Sequence, residues 1–217
     1  MKNWLGRFLS SSLGRKYVMA VSGLSLVLFL VAHLAGNLSL FFSDSAFNAY
    51  AHALESNPLL PLAEAGLAGV FLVHIALAFV LIAKNRAARK DKYQSELGSG
   101  GRSLASATMT ITGPIVLVFL LIHLYDFRIS KMFADEGYDL ALAVRARLSS
   151  PLGATIYIFG LLALGVHLWH AFQSSFQTLG LGHPRARQVI VWIGRLLAVG
   201  LFVGFVSIPF WLFMLRG

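Results

Sequence analysis

Cysteine is absent from these 217 residues, and charge is scarce. Without a thiol the chain forms no disulfide, no thiolate zinc site and no iron–sulfur cluster of its own. Charged residues make up 12% of the chain, against about 25% in ordinary soluble domains, so half the usual solvating charge is missing. Together with 57% hydrophobic residues and a mean hydropathy of +0.73, this excludes a soluble globule and a disordered chain. Acids are the scarcer sign, 9 Asp and Glu against 18 Lys and Arg, for a net charge of +9. The excess does not point to nucleic acid. The cations sit in short clusters between long apolar runs, and in a membrane that pattern sets orientation.

Five apolar runs are present, over 17–42, 62–83, 104–125, 152–176 and 189–215. A membrane-crossing helix needs about 20 such residues. Lipid offers no partner to an unpaired backbone group, and the runs lack the alternation of a barrel strand. The expected fold is therefore an all-α membrane protein, a single transmembrane domain of five helices. The first run is too long for a signal-peptide core, and His33 and Asn37 interrupt its far end. Loop charges set the topology. Lys2, Arg7, Arg15 and Lys16 precede the first run; Lys84, Arg86, Arg89, Lys90, Lys92 and Arg102 separate the second and third; Arg185 and Arg187 separate the fourth and fifth. The first connection holds only Asp44 and Glu55, and the third is mixed in sign. The positive-inside bias predicts a cytoplasmic N-terminus and an outside C-terminus. Pro58, Pro61 and Pro151 stand near helix starts, Pro114 and Pro209 lie within runs, and the glycines at 98–101 mark a linker turn.

Five of the seven histidines lie inside apolar runs: His33, His74, His123, His167 and His170. His52 and His183 are expected in loops. Ionisable groups at membrane depth are costly and are functional candidates. At about 1.5 Å per residue, His33 is about 26 Å beyond Lys16 and His123 about 31 Å beyond Arg102. On the descending helices, His74 is about 15 Å before Lys84 and His167 about 20 Å before Gly180. Two levels result, His33 with His123 in the outer half and His74 with His167 in the inner half. A bis-histidine haem takes one neutral imidazole on each porphyrin face, from different helices at matched depth. Four helices giving one His each at two depths can hold two.

The spacing repeats. Ser22-Gly23 precedes His33-Leu34 as Thr112-Gly113 precedes His123-Leu124, ten residues from Gly to His in both. Gly66, Gly69 and Gly160 likewise precede His74 and His167. Small residues make room for a flat, wide ring or for close helix packing. Taken singly, each membrane His also reads as interhelical glue or a proton relay; the matched depths and the repeat favour ligands. His170, out of phase with His167, reads as a supporting group, a propionate partner or the true ligand in place of His167.

The stretches SSLGRKYVMAVSGLSLVLFLVAHLAGNL, YDFRISKMF and HLWHAFQSSFQTLG resemble the cytochrome b membrane anchor of succinate dehydrogenase and fumarate reductase, in its five-helix, two-haem b558 form. The resemblance covers nearly the whole chain. It implies a bacterial cytoplasmic-membrane subunit with two haem b, bound to an iron–sulfur subunit and a flavoprotein subunit that carry the clusters and FAD. It also implies electron transfer to or from a quinone, usually menaquinone. His33 and His123 would hold the distal haem, and His74 and His167 the proximal one. Arg147 would meet a distal propionate, and Ser22 and Gln177 proximal propionates. Glu55 matches a quinol-site glutamate or is a solvated loop carboxylate. One relative carries a proton-conducting glutamate two residues ahead of the fourth ligand; this chain has Gly165 there. Two rivals stand beside this reading: a di-haem quinol-oxidising anchor of nitrate reductase or formate dehydrogenase type, and a haem-free transporter or structural anchor.

Overall fold

A computed structural model describes residues 3–87, 104–135, 137–181 and 184–215. Lys2, Arg89, Lys90, Lys92, Arg102, Glu136, His183 and the turn at 98–101 lie outside the described residues. In chain order the helices are α1 (Trp4–Ser10), α2 (Ser12–Asn37, ending in a 3-10 turn Leu38–Phe41), α3 (Asp44–Glu55), α4 (Leu60–Ala87), α5 (Leu104–His123), α6 (Ser130–Met132), α7 (Leu140–Ser149), α8 (Pro151–Thr178) and α9 (Pro184–Leu215). A π-helical segment, Leu124–Ile129, joins α5 to α6. Five of these stretches are long and apolar enough to cross a membrane: Ser12–Phe41, Leu60–Lys84, Thr108–Met132, Pro151–Thr178 and Arg187–Met214. No strand occurs among the described residues.

Local chemistry explains where the helices depart from the sequence expectation. The first starts five residues before Tyr17, because the Ser11 hydroxyl accepts from Gly14 N–H at 2.9 Å and satisfies one of the free donors of the first turn. The third passes Tyr125 through the π segment to Met132, and Ser130 Oγ donates to the Tyr125 carbonyl at 2.7 Å. The first and third connections are not plain loops. They contain α3, capped by Ser43 on Ala46 N–H, and α7, capped by Asp139 on Leu142 N–H, so His52 is helical. Ser150 caps α8, with Pro151 at its first position, where a missing N–H costs nothing.

α8 is the central helix, packed on α9, α5 and α2. α4 packs along α2, and none of its membrane-spanning window is buried. One core cluster (Leu40, Phe47, Ala141, Val144, Leu148, Tyr157, Ile208, Leu212) seats α3 and α7 on one end of the bundle. The other cluster (Val27, Leu161, Leu168, Ala198, Leu201, Phe205) ties α2, α8 and α9 at mid-depth. We call the end bearing α3 and α7 the cap end and the opposite one, with Arg7, Arg15, Lys16, Lys84 and Arg187, the basic end.

Polar contacts concentrate at the cap end. All four ion pairs of the described residues are there: Arg128–Glu64 at 2.7 Å, Lys131–Glu55, Arg145–Asp44, and Arg147–Asp126 at 2.7 Å. Asn48 of α3 donates to Asp139 at 2.8 Å and accepts from Ala141 N–H at 3.0 Å, tying α3 to the start of α7.

These contacts set a pH dependence. The Leu142 backbone N–H, then the Asn48 amide, hold the Asp139 carboxyl below its ordinary 3.8. A depressed carboxyl stabilises the cap above the unfolded value and loses that contribution as pH falls through the folded one. The protection of the Leu142 amide relative to its intrinsic exchange rate is expected to fall below about pH 3.8, and Asp139→Ala should lack that protection at every pH.

Candidate functional site

The structure brings the four mid-membrane histidines together in two pairs. His33 of α2 and His123 of α5 have ring centroids 5.8 Å apart with planes at 88°. An atom bonded to one nitrogen of each ring at about 2 Å would put the centroids about 6 Å apart. Aromatic rings enclose this pair. Phe29 stacks on His33 at 5.2 Å and Phe205 lies at 5.9 Å. Phe119, Phe127 and Tyr157 surround His123 at 6.1, 5.4 and 6.0 Å. The second pair is His74 of α4 and His167 of α8, close enough to interact electrostatically.

Each ring of the second pair is held by a hydroxyl from the repeated Ser/Thr-Gly motif. Ser22 Oγ lies 3.2 Å from His74 Nδ1, and Thr112 Oγ1 lies 3.2 Å from His167 Nδ1. Both hydroxyls already donate their one proton to a carbonyl on their own helix, Ser22 to Met19 at 3.0 Å and Thr112 to Thr108 at 2.9 Å. A hydroxyl that donates to its own helix can only accept from the imidazole, and in that arrangement Nδ1 carries the proton in both rings. The lone pair is left on Nε2, the tautomer a metal ligand requires. Ser22 and Thr112 are themselves buried. The glycine of each motif lies beside the same ring. A Cβ at Gly23 would stand 3.2 Å from His74 Cε1, and one at Gly113 4.0 Å from His167 Cε1. Thus the motif on α2 serves the histidine of α4, and the motif on α5 serves that of α8.

This donor set fits a haem. Among the described residues no three His, Asp or Glu side chains converge as a metal cage. The histidines come in twos, and a porphyrin needs only two from the protein. α4 stands away from α5 and α8 while its His74 faces His167, which leaves width for a flat ring. His123 Nδ1 is buried without a hydrogen-bond partner, the kind of orphaned polar atom that a bound group completes.

The other sequence candidates fall as follows. Arg147 donates to Asp126 from Nε at 2.7 Å, and Tyr157 donates to the same carboxylate oxygen at 2.9 Å, directly above His123. Gln177 is exposed in the last turn of α8, at the basic end. His170, three residues after His167, lies within electrostatic range of Arg195 of α9. Glu55 pairs with Lys131 and lines a polar cavity of about 290 Å³ with Asn48, His52 and Tyr138. Sequence reasoning did not place Thr112, Asp126 or Tyr157. The repeated motif signalled the first. Asp126 and Tyr157 carry no spacing signal, because a π turn sets the direction of Asp126.

Comparison with known proteins gives one strong likeness. The chain is 28% identical over 184 residues to the succinate dehydrogenase cytochrome b558 subunit of Bacillus subtilis (strain 168), covering 83% of this chain and 87% of that one. This supports the b558 membrane-anchor family read from the sequence. No family model and no solved structure matches. With five apolar helices and a bacterial homologue of this kind, the chain is a multi-pass inner-membrane protein.

Removing a hydroxyl should loosen one ring and spare the other. With the His74–His167 pair acting as haem ligands, as proposed below, Ser22→Ala or Thr112→Val is expected to lower haem affinity there about tenfold, the usual cost of an outer-shell partner. Haem retained per chain after detergent dilution measures it. Loss at the His33–His123 pair would contradict the assignment.

Proposed function

We propose that this chain is the di-haem cytochrome b anchor of a succinate:quinone oxidoreductase, passing electrons between an iron–sulfur subunit and membrane quinone. The observation that carries the reading is the pairing of four histidines from four helices at two depths, with Nε2 left free at one pair by the Ser/Thr hydroxyls. The likeness to a succinate dehydrogenase cytochrome b558 subunit supports the choice of complex over the other di-haem anchors.

His33 and His123 hold one haem b, and His74 and His167 the other. Bound haem iron supplies one-electron transfer between its ferric and ferrous states. The protein supplies the rest. Gly113 lies beside His167 and is ten residues from His123 on the same helix, so the two levels are about 15 Å apart, half of the hydrocarbon thickness of about 30 Å. The phenylalanines around the His33–His123 pair exclude water from it. Arg147, neutralised in part by Asp126, sits at its cap-end edge, where a propionate of that haem would lie.

The basic end faces the cytoplasm and docks the iron–sulfur subunit, in keeping with the positive-inside bias. The flavoprotein subunit binds beyond it. The cap end faces outward, and quinone, menaquinone in this form, reacts near it. An electron crossing between the two ends moves charge through the membrane potential, about 2.3 kcal/mol per 100 mV. Glu55 lines the same polar cavity as His52, and we read it as the group that passes protons at the quinone.

Two expectations follow from the ligand and proton roles. His33→Ala and His74→Ala should each leave one b haem per chain, in different environments, by pyridine haemochrome and difference spectra. Either variant losing both haems while still inserted, or retaining both, counts against the pairing. Glu55→Gln should slow quinone reduction by about 100-fold or more, within the roughly 10²–10⁴-fold worth of a positioned acid–base group, with both haems retained. Unchanged turnover would remove Glu55 from the path.

A further inference from the structure

The two ends of α9 carry the same aromatic–cation motif, but only one has its counter-ion. At the cap end Arg145 lies over Trp211 at 5.6 Å and is paired with Asp44. At the basic end Arg195 lies over Trp169 of α8 at 5.2 Å and Trp192 at 5.8 Å. No carboxylate reaches it among the described residues, since Asp44, Glu55, Glu64, Asp126, Asp135 and Asp139 all sit at the cap end. Arg195 is 20 residues from Leu215, about 30 Å along the helix, which is the full depth of the hydrocarbon. Arg195 is also eight residues inside Arg187, where the span begins, about 12 Å along the helix, a depth from which a long cationic side chain extends toward the head groups. Trp169 and Trp192 are 38% and 61% exposed, so the chain itself leaves the cage accessible. His170 is the neighbouring polar ring.

A guanidinium at this depth needs an anion, and its planar fork matches two oxygens of one phosphate. Indole rings hold the interfacial level and add cation–π attraction. We propose that Arg195, caged by Trp169 and Trp192, binds the phosphodiester of an anionic phospholipid, with His170 as a secondary donor. The site would fix one lipid in the groove between α8 and α9. It is separate from the histidine pairs and does not depend on the electron-transfer reading.

The test uses the full chain with whatever subunits accompany it, transferred to nanodiscs of phosphatidylcholine with a minority of phosphatidylglycerol. Native mass spectrometry then counts the phosphatidylglycerol retained. Arg195→Gln should retain about fivefold less, the worth of one interfacial cation. Trp192→Leu, which keeps the charge and opens the cage, should fall in between. The visible spectrum of both variants should match the parent, which also reports their folding. Equal retention in parent and Arg195→Gln overturns the proposal. So does release of the lipid from the parent by excess inorganic phosphate, which would mean a free-anion site. A changed spectrum with unchanged lipid overturns it as well, because Arg195 would then serve a group inside the bundle.

Discussion

An imidazole inside a membrane has two nitrogens and no water to satisfy either. Each ring must donate from one and find a donor or a metal for the other. In this protein the Ser22 and Thr112 hydroxyls settle that division for His74 and His167. Each has a carbonyl of its own helix at donating distance, and a hydroxyl that donates there accepts from the ring. The direction of one hydroxyl proton thereby decides which nitrogen faces the partner helix. That constraint accounts for features that would otherwise be unrelated. It explains why a hydroxyl and a glycine are adjacent, why the pair recurs on α2 and α5, and why α4 stands off from α8 with its histidine still aimed across.

The two histidine pairs are built by different means. The basic-end pair is oriented by hydrogen bonds. The cap-end pair is oriented by packing, with five aromatic rings around it and His123 Nδ1 left without a partner. The polar groups nearest the cap-end pair are gathered one turn away, where Asp126 takes both Arg147 and Tyr157. The same division runs through the whole molecule. The cap end neutralises its cations with its own carboxylates and is sealed by α3 and α7. The basic end keeps its cations for partners outside the chain, which in this account are lipid phosphate and an iron–sulfur subunit.

Much of this was legible in the sequence, because hydrophobic length and residue spacing are one-dimensional signals. The five spans and the partnering of His33 with His123 and His74 with His167 follow from counting along helices of known rise. The repeated Ser/Thr-Gly-to-His interval was visible too, but not what the hydroxyls touch. That depends on how α4 and α8 are rotated against α2 and α5. α3 and α7 hid inside connections because they are short, and packing against the cap core rather than a long apolar run holds them in place. The π segment has no sequence signature, so the Asp126 cluster stayed out of reach. His170 could not be assigned from its phase alone; its proximity to the Arg195 charge comes from the packing of α9.

The most direct test of the central claim is electron paramagnetic resonance of the oxidised protein. Two histidines on one iron give a low-spin ferric centre, and near-perpendicular ring planes give a highly anisotropic one. The account predicts two low-spin signals, with strong anisotropy at the His33–His123 pair, whose rings stand at 88°. A high-spin signal in the intact protein would mean an iron with an open position. A chain that is inserted and assembled but carries no haem signal would contradict the ligand pairing outright.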